Sequence, residues 1–225
     1  KWLSAGLFTA MLGTAIIAGP TADVSANAGN KPYNIENVSP DAQLAPSVGD
    51  SSSKTSSKAW HKIDGVCYNG SGKKVEGAIT RGMDVSEWQG KINWKEAKKD
   101  LDFAFVRISY GTRHLDDYYD YNMTEAEAAD VPVGTYVYSL AKTNKEALAE
   151  AQLAIRQMQG HKVSYPVAFD LEDEATLGTL TRKEISQIAL TFCDEIRKAG
   201  YTPILYMNLN WYNNFVDWNV LEGSG

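Results

Sequence analysis

The segment Tyr165-Pro166-Val167-Ala168-Phe169-Asp170-Leu171-Glu172-Asp173 is a short apolar run that ends in Asp-x-Glu. A strand alternates its side chains with a period of two, so Asp170 and Glu172 share one face, about 6–7 Å apart at their Cα atoms. Two like charges that close in a partly dry setting push one pKa up and the other down. One carboxyl then stays protonated and can donate, while the other stays ionised and can stabilise positive charge. The alternative is structural: Asp170 caps the following helix or pairs with Arg107, and Glu172 to Glu174 form a solvated acidic loop.

Outward from this segment the chain alternates β-branched or aromatic runs with amphipathic stretches. The spacing predicts strands over 79–85, 103–109, 133–139, 167–171 and 204–207. Helical patterns lie between them: Ala147, Ala151, Ala154-Ile155 and Met158 recur by threes and fours, as do Ile185, Ile188-Ala189, Phe192-Cys193 and Ile196, with Gly200 as a stop. Strand–helix repeats imply parallel strands with crossover helices. No G-x-G-x-x-G or G-x-x-x-x-G-K-[ST] follows a strand, which argues against a nucleotide-binding sheet. Polar residues instead recur at strand ends, at Asp84, Arg107, Tyr138, Asp170, Glu172, Tyr206 and Asn208. In a barrel such ends converge on one mouth. The expected fold is α/β, a modified TIM-like (β/α) barrel. A full barrel takes about 250 residues, so with roughly five to six strands this one is either compact and irregular or incomplete.

Of the 225 residues, 44% are hydrophobic and 22% charged, an ordinary globular balance, and the net charge is −6. With no basic run, nucleic acid is not an expected partner. Residues 2–19 carry no charge and Val24-Ser25-Ala26 fits a small-x-small cleavage site, so 1–26 reads as a signal peptide. The mature protein is then expected to be secreted and not held in a membrane. A membrane anchor is disfavoured by the Gly, Ala and Thr content and the lack of a basic flank. Residues 27–62 read as a polar linker or leader, 63–78 as a short β extension turning at Asn69-Gly70, and 79–225 as the catalytic domain.

Asp84 ends the first predicted strand, and a third carboxyl at one rim is costly unless substrate or catalysis uses it. Glycoside hydrolysis needs an acid at the leaving oxygen and an anion near the oxocarbenium, which Asp84, Asp170 and Glu172 can supply. Trp88, Tyr136, Tyr138, Tyr206, Asn208 and Trp211 are the candidate sugar contacts, although an aromatic stripe also suits a core. His61, His114 and His161 lack metal-ligand spacing and no G-x-S-x-G is present, so no metal, cofactor or serine nucleophile is expected. Cys193 reads as a core residue, with a Cys67–Cys193 disulfide as the alternative in an exported chain.

Arg81-Gly82-Met83-Asp84-Val85-Ser86-Glu87-Trp88-Gln89-Gly90 resembles the opening motif of glycoside hydrolase family 25 lysozymes. Phe103-Ala104-Phe105-Val106-Arg107, Gly134-Thr135-Tyr136-Val137-Tyr138, Pro166-Val167-Ala168-Phe169-Asp170-Leu171-Glu172 and Tyr201-Thr202-Pro203-Ile204-Leu205-Tyr206 follow in the family's order, so the likeness spans 79–218. The resemblance implies a muramidase that cuts the β-1,4 bond between N-acetylmuramic acid and N-acetylglucosamine, with peptidoglycan glycan strands as its partner and no protein partner. It implies Glu172 as proton donor, Asp170 as the neighbouring stabilising carboxylate and Asp84 as the aspartate at the floor. It implies retention, through a carboxylate nucleophile or the substrate's acetamido group. The family's domain continues with further strands and another acidic residue, which implies a C-terminally short and weakly active or inactive polypeptide. The alternative function is a non-catalytic cell-wall carbohydrate-binding module that kept the groove.

Overall fold

The computed structural model describes residues 61–69 and 72–223, together with the backbone of the strand Ala15–Ala18 (β1). The rest of the expected signal peptide and the linker up to residue 60 lie outside the described residues. β2 (His61–Ile63) and β3 (Val66–Tyr68) form a hairpin, followed by β4 (Ala78–Val85), a 3₁₀ turn (Glu87–Gln89) and α1 (Trp94–Ala97). Next come β5 (Phe103–Tyr110), β6 (His114–Leu115), α2 (Tyr119–Ala128), β7 (Val133–Tyr138), α3 (Asn144–Met158) and β8 (Val163–Asp170). The order closes with α4 (Glu174–Leu177), α5 (Arg182–Lys198), β9 (Pro203–Tyr206), α6 (Leu209–Asn214) and α7 (Trp218–Glu222).

The main sheet runs β1-β4-β5-β7-β8-β9, with β6 beside β5. β4, β5, β7, β8 and β9 are parallel and curl into a half-barrel, and β1 lies antiparallel on the edge of β4. This is the expected (β/α) architecture. The hairpin differs from expectation: β2 begins at His61, inside the expected linker, and turns at Asp64-Gly65, both at positive φ. Asp-Gly supplies that left-handed pair cheaply. The expected turn after Tyr68 survives as a single bridge, Tyr68 to Lys74.

Alternation along each strand sorts the two faces. Val106, Val137, Val167 and Phe169 point outward under α3 and α5, where Phe169 stacks on Phe192 at 4.1 Å. Ala147, Ala151 and Ala154, all fully buried, let α3 lie close on the sheet. Thr181 and Glu184 form a reciprocal capping box that starts α5. Each large apolar side chain buried here contributes about 1.5–3 kcal/mol.

The inner face holds Phe103, Phe105, Ala168, Ile204 and Tyr206, packed with Tyr136 and Tyr165. Phe103 stacks on Tyr165 at 4.9 Å, and Phe105 meets both rings edge-on. Gly82 and Gly134 make this aromatic floor possible. A Cβ on Gly82 would stand 2.1 Å from the Phe103 ring, and one on Gly134 would stand 2.6 Å from Phe105. Both cysteines are free: Cys67 is buried beside β4, and Cys193 sits in the core, its thiol pushed up to about 12 by burial.

Candidate active site

The same alternation brings Asp84, Arg107, Tyr136, Tyr138, Asp170 and Tyr206 to the inner face above the floor. Tyr138, Asp170 and Tyr206 stand in register across β7, β8 and β9, and Asp84 pairs with Phe105 on the other side. Glu172 follows two residues past Asp170, in the loop before α4.

The three carboxyls feel one another. Burial raises Asp84 to about 6, and the charge of Glu172 adds to the rise. Asp170 is pushed well above the usual carboxylate range by burial, then by Glu172 and Asp84, with Arg107 opposing. Burial also raises Glu172, against hydrogen bonds from the side chain and backbone of Asn208. The largest upward push therefore falls on Asp170, the most enclosed of the three. Asp84 Oδ1 and Asp170 Oδ1 are buried and accept no hydrogen bond from the described residues. Unsatisfied buried oxygens are costly and are ready acceptors for an incoming polar group.

Neither structural alternative for Asp170 holds. The cap of α4 is Asp173, whose Oδ1 accepts from Thr176 N–H at 2.8 Å. Arg107 is engaged elsewhere: its Nε donates to Asp116 Oδ2 at 2.9 Å and its Nη2 pairs with Glu87 at 3.0 Å. Asp116 Oδ2 also accepts from Glu87 N–H at 2.8 Å, which pins the 3₁₀ turn to β5. No spacing rule marks Asp116, because its partner lies across the β5–β6 hairpin, and only a charged residue beside an apolar strand hinted at it.

Trp88, on that turn, is 76% exposed at the rim. Tyr110 stacks on Tyr138 at 4.9 Å, and its hydroxyl donates to Asp173 Oδ2 at 3.1 Å. Tyr136 has its hydroxyl pKa raised chiefly by burial, with the charges of Asp84 and Asp170 adding and Arg107 opposing. Tyr206 is buried in the inner cluster. Asn208 caps α6 and touches Glu172. Trp211 corrects the expectation of a sugar contact: it is 1% exposed in the outer core, stacked on Phe215 at 4.3 Å. The Asn208 cap starts a helix there, and its geometry turns the indole inward. Among the described residues, Glu87, His114 and Asp117 offer possible metal-ligand atoms within 4.8 Å of one another. His114 and Asp117 are exposed, and Glu87 already pairs with Arg107.

A half-barrel with buried carboxyls gathered at the C-terminal ends of its strands suits the acid–base chemistry of a glycoside hydrolase. Residues 83–223 match the family profile of Glycosyl hydrolases family 25, and the chain belongs to that family. The uncharacterized protein YegX of Escherichia coli K12 is 26% identical over 139 residues, covering 59% of this chain and 49% of YegX. Lysozyme M1 of Streptomyces globisporus is 38% identical over 60 residues, 26% of this chain and 20% of that protein. The chain thus spans about half the length of YegX and less of Lysozyme M1. Among solved structures, the modular autolysin LytC of Streptococcus pneumoniae shares the fold with a TM-score of 0.59 at 23% identity, covering 69% of this chain and 39% of LytC. LytC is also solved in complex with a synthetic peptidoglycan ligand. A muramidase from Trichobolus zukalii shares the fold with a TM-score of 0.52 at 19% identity, covering 59% of this chain and 67% of its own.

Proposed function

We propose that this domain hydrolyses the β-1,4 bond between N-acetylmuramic acid and N-acetylglucosamine in peptidoglycan. The observation that carries the reading is the meeting of Asp84, Asp170 and Glu172 above an aromatic floor. Family membership and the peptidoglycan ligand of LytC support the substrate class. Glu172, raised by burial yet only partly enclosed, gives its proton to the glycosidic oxygen as the bond to C1 breaks; water then supplies the hydroxyl to C1 and its proton returns to the Glu172 carboxylate. Asp170 and Asp84 face the positive charge that develops on the sugar. Because burial disfavours their anions in the free site, the charge they lend is stabilised most when that cation forms. Trp88 and the Tyr110–Tyr138 pair offer ring faces to the sugar at the rim. A peptidoglycan substrate calls for action outside the cytoplasm, at the cell wall.

The test is Glu172→Gln. Wild-type chain should release reducing ends and soluble muropeptides from insoluble peptidoglycan, and the variant should be slower by about 10²–10⁴-fold while still sedimenting with the polymer. Full activity in the variant removes Glu172 from the acid role. Saturable sedimentation of wild type without muropeptides by mass spectrometry would mark a binding module instead.

A further inference from the structure

Glu172 and Asn208 occupy matching places beyond two paired strands. β8 and β9 run parallel with Asp170 beside Tyr206, and Leu171 N–H bonds Tyr206 O at 3.0 Å. Each strand then advances two residues, one to Glu172 and the other to Asn208. Asn208 is also the N-cap of α6, its Oδ1 accepting from Trp211 N–H at 3.1 Å. A side-chain amide has one oxygen and one NH₂, so this bond leaves Nδ2 as the group that meets Glu172. Flipping the amide would set NH₂ against Trp211 N–H.

We propose that Asn208 is a positioning residue for Glu172: the helix cap locks its amide so that a fixed donor points at the carboxyl of the acid. The inference rests on Glu172 acting as the proton donor. A donor to the ionised form stabilises the carboxylate left after proton transfer, and so counters the burial that would make Glu172 hold its proton too tightly. The other titratable groups whose charges couple to Glu172 are Asp84 from β4, Tyr138 from β7 and Asp170 from β8. All of these are acids, so Asn208 supplies the stabilising contacts.

Ser and Asp keep the N-cap, whereas Ala loses it. Asn208→Ser, Asn208→Asp and Asn208→Ala are therefore compared in the full chain by thermal unfolding and by the pH profile of peptidoglycan hydrolysis, with Glu172→Gln alongside. The expected result for Asn208→Ser is an unchanged Tm and an alkaline limb moved up by about one pH unit, the size of one charge-assisted hydrogen bond. Asn208→Asp should move the limb further, because it places a like charge beside Glu172. Asn208→Ala should show the shift of the Ser variant with a lower Tm. An unmoved limb with a raised KM would make Asn208 a substrate contact and overturn the proposal. An unmoved limb and KM, with only the Ala variant losing Tm, would make it a cap and nothing more. Activity in Glu172→Gln would instead overturn the acid assignment on which the inference stands.

Discussion

Glu150 lies away from the carboxyl mouth, and its substitution should change stability in one pH range only. It sits on α3, 2% exposed, and accepts from Ser139 Oγ at 2.8 Å and Leu140 N–H at 3.0 Å. Burial is the main cause that lifts its pKa from 4.5 to about 7. The folded protein then binds this proton more tightly than the unfolded chain. Its stabilising contribution is complete below about pH 4.5 and is lost as pH rises through about 7. At 1.36 kcal/mol per pKa unit the full loss is about 3 kcal/mol. Glu150→Gln resembles the protonated acid: its oxygen still accepts from Leu140 N–H, and its amide can donate to Ser139 Oγ. The variant should match wild type at pH 4 and exceed it by up to about 3 kcal/mol at pH 8.5, roughly 6–12 °C in Tm for a domain of this size. Because Asp84 and Asp170 titrate in both proteins, the difference between the two curves isolates Glu150. Urea unfolding across that range is the assay. Parallel pH curves for the two proteins, or a variant less stable at pH 8.5, would refute the reasoning.

Gly82→Ala should destabilise by about 1–3 kcal/mol in chemical unfolding, because the new methyl collides with Phe103, whose ring is held by its stack on Tyr165. Trp88→Ala should leave unfolding within about 0.5 kcal/mol of wild type while raising KM for peptidoglycan, since the indole is exposed at the rim. Trp211→Ala should do the reverse, with a loss of about 3–5 kcal/mol from the core. If Trp211→Ala stayed as stable as wild type and only its KM changed, the core placement would be wrong.

The parallel strands were legible because their β-branched and aromatic runs end in polar residues, and those ends are what the half-barrel gathers. The start of β8 was not, since Ser164 and Pro166 interrupt its apolar pattern before Val167. α2 escaped for a related reason. Its buried positions Tyr119, Asn122, Met123 and Ala126 follow helical spacing, but one is an asparagine, which the sequence cannot distinguish from a surface residue. Trp94 Nε1 donates to its Oδ1 at 3.1 Å inside the core and offsets the burial. Trp211 shows the limit of aromatic composition as a site signal. Which way an indole points depends on the helix started by Asn208, three residues earlier, and not on nearness to a strand end. Strand alternation dictates the face of Asp84 and Asp170, but Glu172 lies past the end of β8, where alternation no longer applies, and the order of the proton affinities depends on depth.

The most direct measurement is a ¹³C-carboxyl NMR titration of Asp84 and Asp170 in wild type and in Glu172→Gln. With one shared mouth, Asp84 titrates at about 6 in wild type, Asp170 titrates higher, and both fall when the Glu172 charge is removed. Aspartates that titrate identically with and without that charge would place Glu172 on a separate surface and contradict a common site.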